Sequence, residues 1–175
     1  MNRGDTMKVE KTTLEGVLLI KPAVFEDHRG QYFETYNEEE YHRNGITVKF
    51  VQDDFSLSHR NVLRGIHGDA KTWKLISCLH GRFYFVVVNG DQQSPGFGRW
   101  QSFILSDVNH HQVLVPPRHG NGHLVLSETA LFHYKQSTYY DPSSQFTYRW
   151  DDPRLGIWWP AKSPFLSQRD EQGHF

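Results

Sequence analysis

The chain is built mostly from short runs of β-branched and aromatic residues, separated by turn-forming residues such as Asn89-Gly90 and Pro116-Pro117. The runs that predict strands are 16–20, 29–36, 49–55, 63–66, 73–79, 82–89, 100–105, 112–115, 122–126 and 130–137. This rhythm is typical of an antiparallel sandwich or jelly roll. We therefore expect an all-β fold.

One segment alone has the signals of a helix. Asn37 can cap residues 38–44, three glutamates lie at the positive end of the helix dipole, and Gly45 can close the helix in the left-handed conformation. Near the C-terminus, residues 151–170 are rich in proline but include Trp158 and Trp159. This apolar content predicts a tail that packs back onto the strands.

Length and charge restrict the classes of protein that remain. A chain of 175 residues predicts one domain spanning 1–175, with polar residues 1–11 forming an extended N-terminal segment. Nineteen basic and 20 acidic residues give a net charge of -1, which argues against nucleic-acid binding through bulk positive charge. No apolar run approaches the roughly 18 residues of a membrane span, so we expect a cytoplasmic protein without a membrane partner. The single cysteine, Cys78, excludes an internal disulfide and is interpreted as an inert core thiol.

Four residues supply the groups of an acid-base enzyme. His67 lies in a segment that otherwise resembles a buried strand, and Tyr134 lies in a second strand-like run. Lys74 offers an amine and Asp170 a carboxylate. A neutral histidine, whose ordinary pKa is about 6.5, suits the base at pH 7, and a tyrosine, at about 10, suits the acid.

Many short motifs, in the same order, resemble the dTDP-4-dehydrorhamnose 3,5-epimerase family. They occupy residues 16–20, 27–30, 50–53, 62–67, 74–75, 94–95, 124–128, 134–135, 152–153 and 166–170, which cover almost the whole chain. The resemblance implies a cupin-type jelly-roll barrel, here with one short helix and the C-terminal tail packed on the barrel. It also implies a homodimer with exchanged N-terminal strands that needs neither a metal nor an organic cofactor. The implied substrate is a nucleotide-linked 4-keto sugar.

The resemblance also implies roles for the four residues. The C4 ketone acidifies the hydrogens on C3 and C5, so removing either one gives an enolate, and reprotonation on the opposite face inverts the carbon. His67 is then the base and Tyr134 the acid, while Asp170 fixes the imidazole tautomer. Lys74 stabilises the enolate oxygen. The residues expected to bind the substrate are Arg29, Glu34, Gln52, Asp54, Arg64, Asn121 and Arg169, with Arg29 and Glu34 reaching the site of a partner subunit.

The chain departs from the usual family pattern around the expected pocket. The loop 68–72 is short, Gly120-Asn121-Gly122 replaces the family's Ala-His-Gly, and Asp54 replaces an asparagine. These changes argue against dTDP-dehydrorhamnose itself as the substrate. Residues 64–69, 71–72 and 145–148 resemble the branch that epimerises GDP-linked 4-keto heptoses for capsule or lipopolysaccharide synthesis. The sequence leaves open whether C3 alone or both C3 and C5 are inverted.

Two other functions remain as alternatives. A sugar-nucleotide 3,4-ketoisomerase would use the same barrel with differently placed histidines. A non-catalytic carbohydrate-binding cupin would keep the barrel but would not need His67, Tyr134 and Asp170 together. Histidines at 110, 111, 119 and 123 suggest a metal site, but their spacing does not match cupin metal ligands. We expect no metal.

Overall fold

The computed structural model describes residues 6–174, and these form two antiparallel β-sheets that face each other, with a separate hairpin. The strands are β1 (Lys8–Lys11), β2 (Leu18–Lys21), β3 (Val24–Asp27), β4 (Gly30–Phe33), β5 (Gln52–His59), β6 (Leu63–Gly68), β7 (Lys74–His80), β8 (Arg82–Asn89), β9 (Trp100–Ser106), β10 (Gln112–Val115), β11 (His119–Val125), β12 (Thr129–Gln136) and β13 (Phe146–Thr147). The all-β prediction is confirmed.

The six-stranded sheet has the order β1-β2-β10-β7-β12-β5, and the five-stranded sheet has the order β13-β6-β11-β8-β9. Strands β3 and β4 pair only with each other. The two large sheets are not joined into a closed barrel, so the architecture is that of a jelly-roll sandwich. Within the described residues, no helix is long and apolar enough to cross a membrane.

Alternation along the strands builds the core between the sheets. On β7, Ile76 and Cys78 point into the apolar cluster, and on β12 Ala130 and Phe132 do the same from the neighbouring strand. Strands β8 to β11 supply most of the other side chains of this cluster, including Phe83, Phe85, Val87, Leu105, Val113 and Val125. Cys78 is buried there, and burial raises the pKa of its thiol to about 12, which agrees with an inert core residue.

The predicted helix is present as α1 (Glu38–Arg43). The Asn37 side chain accepts a hydrogen bond from the Glu40 amide, and Gly45 has φ 84°, as the capping signals indicate. The expectation of a single helix is wrong, because a second helix, α2 (Gln168–Glu171), and a 3₁₀ turn at Pro142–Ser144 also form. Both are only one turn long, too short for a periodic pattern to reveal.

The C-terminal tail packs on the outer face of the five-stranded sheet, as predicted. Leu155 and Trp159 are buried against Tyr84 and Leu63. The Phe165 backbone then pairs with Asn61 and Leu63 beside β6. The tail thereby places α2, which contains Asp170, beside β6, the strand that contains His67.

Three strands were missing from the sequence prediction. β1 is polar and mostly exposed, β3 carries two acidic residues, and β13 is two residues long, so none has the apolar alternation of a buried strand. Strand β1 lies inside the segment predicted as extended and pairs with β2 of the same chain. Residues 1–5 of that segment lie outside the described part of the chain.

Candidate active site

A cavity of about 340 Å³ opens between the two sheets at one end of the core. Its wall collects residues from both sheets and from the C-terminal tail. The lining residues are Phe55, Ser56, Arg64, His67, Lys74, Asn121, His123, Phe132, Tyr134, Gln136, Tyr140, Gln145, Ser167, Arg169 and Asp170. All four residues predicted to be catalytic are therefore in one cavity.

His67 and Asp170 form a close pair although they are 103 positions apart in the sequence. His67 Nε2 lies 2.6 Å from Asp170 Oδ1, and Asp170 is only 2% exposed. An ionised carboxylate can only accept hydrogen bonds, so Nε2 carries the proton and donates it to Asp170. Nδ1 is then the ring nitrogen with a free lone pair, and a proton can be taken from a substrate there.

Hydrogen bonds keep the Asp170 carboxyl ionised. Burial alone would raise its pKa, but hydrogen bonds from His67, from the Ser167 hydroxyl at 2.7 Å and from the Gly65 amide at 3.3 Å outweigh that effect, so the pKa is lowered. Ser167 is also the N-cap of α2, and its hydroxyl accepts a hydrogen bond from the Asp170 amide. One serine thus fixes both the helix and its carboxylate.

Lys74 lies at the start of β7 with its amine buried in the cavity wall. Burial lowers the pKa of Lys74, while Asp69 Oδ2, 3.9 Å from Nζ, opposes this shift. Asp69 is held in turn by hydrogen bonds from the Lys71 and Thr72 amides. The amine is consequently poorly solvated, and any negative charge that develops in the cavity would interact with it strongly.

Tyr134 faces the cavity from β12, in the sheet opposite to the one that carries His67. Burial, followed by the nearby charge of Asp54, raises the pKa of Tyr134 to about 12. The phenol therefore stays protonated at neutral pH and can act as a proton donor. Its hydroxyl and the imidazole approach the cavity from opposite sheets.

Of the residues predicted to bind the substrate, three line the cavity. Arg64 donates a hydrogen bond to the Ser58 hydroxyl at 3.0 Å, and Arg169 donates one to the Thr147 hydroxyl at 2.9 Å. Asn121 donates a hydrogen bond to the His67 carbonyl at 3.1 Å, directly opposite His67 across the β6–β11 ladder.

The other four predicted binding residues do not line this cavity. Gln52 donates a hydrogen bond to Asp54 at 2.8 Å, and Asp54 also accepts one from the cavity residue Gln136, so both lie just behind the wall. Arg29 lies at the tip of the β3–β4 hairpin and is paired with its neighbour Asp27. Glu34 follows this hairpin and accepts a hydrogen bond from Asn37.

Several cavity residues were not identified from the sequence. Ser167, three residues before Asp170, has the spacing of a helix cap, and this signal could have found it. Tyr140, half-exposed at the cavity, follows β12 and carries no local signal. The sequence indicates His123 only as a possible metal ligand. Within residues 6–174, no group of three or more His, Cys, Asp or Glu side chains could hold a metal ion, and metal independence stays a prediction.

A two-sheet fold that holds a histidine–carboxylate pair, a buried amine and a phenol around one cavity has the groups of an enzyme that moves protons on carbon. The family model of dTDP-4-dehydrorhamnose 3,5-epimerase matches residues 11–175. The chain belongs to this family of isomerases, which act on nucleotide sugars.

Individual relatives agree with the assignment. The chain is 41% identical over 171 residues to dTDP-4-dehydrorhamnose 3,5-epimerase of Escherichia coli, covering 95% of this chain and 92% of the relative. It is 33% identical to a dTDP-4-dehydrorhamnose 3-epimerase of Streptomyces niveus, with 94% and 82% covered. The crystal structure of a dTDP-6-deoxy-D-glucose-3,5-epimerase from Legionella pneumophila, in complex with dTDP-4-keto-L-rhamnose, superposes with a TM-score of 0.92 at 37% identity, covering 97% of this chain and 92% of that one.

Proposed function

We propose that the protein inverts C3, or C3 and C5, of a nucleoside-diphosphate-linked 4-keto sugar through an enolate intermediate. The observation that carries this proposal is the His67–Asp170 pair at 2.6 Å in the same cavity as Lys74 and Tyr134. A binding module would have no use for a polarised imidazole beside a buried amine. A ketoisomerase would also move protons, but it would relocate the carbonyl rather than invert a carbon.

In the proposed reaction, His67 Nδ1 removes the proton from the carbon next to the ketone. The charge spreads to the C4 oxygen, where Lys74 stabilises it, while Asp170 stabilises the imidazolium. Tyr134 then donates a proton to the opposite face of the carbon, which inverts it. No redox change and no cofactor is required, because the electrons of the broken C–H bond return to a new C–H bond.

The nucleoside diphosphate is proposed to lie toward the arginines of the cavity. Arg64 and Arg169 offer guanidinium groups suited to phosphate oxygens. Tyr140 offers a half-exposed ring on which a nucleobase can stack. The relatives described above are named for dTDP sugars, which supports dTDP as the nucleotide.

A GDP-linked 4-keto heptose is the second candidate substrate. Asn121, which stands where the family commonly has histidine, donates a hydrogen bond to the His67 backbone beside the reacting centre. This departure supports a sugar different from dehydrorhamnose. The role of such a substrate would be in surface-polysaccharide synthesis.

We further propose a homodimer in which Arg29 and Glu34 act on the partner's cavity. The β3–β4 hairpin that carries Arg29 is separate from both large sheets. Phe55 and Leu57, 61% and 62% exposed, lie on β5 at the edge of the six-stranded sheet and offer an apolar contact surface. Exchange of N-terminal strands stays a prediction, and a molar mass measured by light scattering tests the dimer.

The reaction is tested by incubating the enzyme with dTDP- and GDP-linked 4-keto sugars in D₂O. NMR spectroscopy then counts the deuterons at C3 and C5 and identifies the product. We expect deuterium exchange together with inversion of the exchanged carbon. Either the dTDP-linked or the GDP-linked sugars should turn over faster than the other series. Absence of exchange from every substrate would contradict the epimerase assignment, while a product with a C3 ketone would indicate a ketoisomerase.

A further inference from the structure

His123 is a cavity residue with no part in the proposed proton transfers. It lies on β11 two positions after Asn121, where it pairs with Arg64 across the sheet. Its side chain lines the same cavity as His67 and Tyr134. The imidazole is thus placed beside the reacting groups by the register of the strands.

Aromatic packing holds the His123 ring in place. The ring stacks on Phe132, with centroids 4.2 Å apart and planes inclined by 10°, and Phe83 lies 5.1 Å away. Only 3% of the residue is exposed. Its orientation is therefore fixed before a ligand enters the cavity.

One ring nitrogen of His123 makes no hydrogen bond within the described residues. His123 Nε2 is buried and has no hydrogen-bond partner among the described residues. A buried polar nitrogen without a partner is unfavourable, and such groups are commonly satisfied by a ligand at a binding site. Nε2 of His119 is also unpartnered, but His119 does not line the cavity. His123 therefore differs from His119 in that its side chain lines the cavity.

The charge state of His123 restricts what it can bind. Burial, together with electrostatic interactions with Arg64 and His67, lowers the pKa of His123 to about 3, with Asp170 opposing the shift. The ring is uncharged at neutral pH, so it provides no ionic attraction for a phosphate. A neutral imidazole has one donor and one acceptor nitrogen, and a hydroxyl group can satisfy either.

We propose that a ring nitrogen of His123 hydrogen-bonds a hydroxyl group of the sugar, which makes His123 a specificity-determining residue for the sugar part of the substrate. This inference rests on the proposed function, because it places the sugar in the same cavity. His123 would contribute to binding the sugar and would leave the nucleoside diphosphate untouched. It would thereby favour sugars with a hydroxyl at this point over those with a methyl group or hydrogen.

The test compares ligands with and without the sugar. Calorimetry measures the binding of dTDP, dTDP-glucose, GDP and GDP-mannose, which do not react, to the wild type and to His123→Phe. Phenylalanine retains the ring that stacks on Phe132 but removes both nitrogens. We expect the sugar nucleotide of the preferred series to bind about 10-fold more weakly, as for one lost hydrogen bond, with the free nucleotide changed by less than about twofold.

His119→Phe is the matched control, since it removes another buried imidazole outside the cavity, and it should bind all ligands as the wild type does. A loss shared equally by nucleotide and sugar nucleotide, or no loss at all, would overturn the inference while the epimerase assignment stands. If the wild type binds none of the four ligands, the proposed function fails as well.

A second measurement uses only the wild-type protein, so its outcome does not depend on whether a variant folds. In wild-type protein labelled with ¹⁵N-histidine, a ring nitrogen of His123 should shift on addition of the sugar nucleotide and not on addition of the nucleotide alone. Identical spectra with the two ligands would contradict the contact.

Discussion

The two ends of the space between the sheets are built by the same strands, yet one is an apolar core and the other is a polar cavity. Along β7 the inward positions change from Cys78 and Ile76 to Lys74. Along β12 they change from Phe132 to Tyr134. The core end gains stability from burial, whereas the cavity end holds charges in a poorly solvated place, which is unfavourable for stability and favourable for chemistry.

The comparison predicts opposite responses to substitution at the two ends. Variants at the core end should lose stability and retain chemistry in the folded fraction. Variants at the cavity end should lose chemistry with little loss of stability.

The largest effect is expected from His67→Asn at the cavity end. Loss of the base should lower both deuterium exchange and epimerisation by about 10²- to 10⁴-fold, with the circular dichroism spectrum unchanged. The control is His42→Asn on the exposed face of α1, which should retain full activity. Exchange at nearly the wild-type rate in His67→Asn would remove His67 from the mechanism.

Phe85→Ala tests the core end. Phe85 is completely buried in the main apolar cluster, so truncation should reduce the free energy of unfolding by about 3–5 kcal/mol. Urea unfolding measures this loss. Because Phe85 does not line the cavity, kcat per folded molecule should stay within about twofold of the wild type. A large fall in kcat would show that the two ends are not separable.

Lys74→Met exchanges the buried amine for an apolar side chain of similar length. We expect kcat to fall by about 10²- to 10³-fold, because the enolate oxygen loses its positive partner. The melting temperature should change little, because the cost of burying the Lys74 charge disappears while Asp69 loses its ion-pair partner but keeps its backbone hydrogen bonds. Lys135→Met, on the outer face of β12 beside Asp53, is the control and should leave kcat unchanged. A strongly destabilised Lys74→Met protein with normal kcat would contradict the expected difference between the cavity end and the core end.

The smallest effect concerns Asp170 and the free energy of unfolding at acid pH. The pKa of Asp170 in the folded protein is lowered from 3.8, so its ionised form stabilises the fold at pH values above 3.8. This contribution is lost as the pH falls through the lowered pKa. The difference in unfolding free energy between the wild type and Asp170→Asn should therefore narrow as the pH falls below about 4. A difference that widens below about pH 4 would contradict a lowered pKa of Asp170.

Much of this organisation could be predicted from the sequence, because it depends on local patterns. Alternating apolar residues located the long strands, and the Asn37 cap located α1. The family motifs pointed to His67, Lys74, Tyr134 and Asp170, which the fold brings into one cavity.

What could not be predicted depends on contacts between distant segments. The stacking of His123 on Phe132 arises only when their strands come together in the folded sheets. Strand β13 has two residues and exists because it pairs with β6. The sequence pattern of a single segment does not indicate which other segment it will contact.

The central claim is that His67 and Tyr134 act on the sugar from opposite sheets, and Tyr134→Phe in D₂O tests it most directly. The variant keeps the ring and loses only the proton that is to be donated. NMR spectroscopy should show deuterium entering the recovered substrate through His67, with inverted product formed at least about 10²-fold more slowly than by the wild type. Formation of inverted sugar at the wild-type rate would contradict the account.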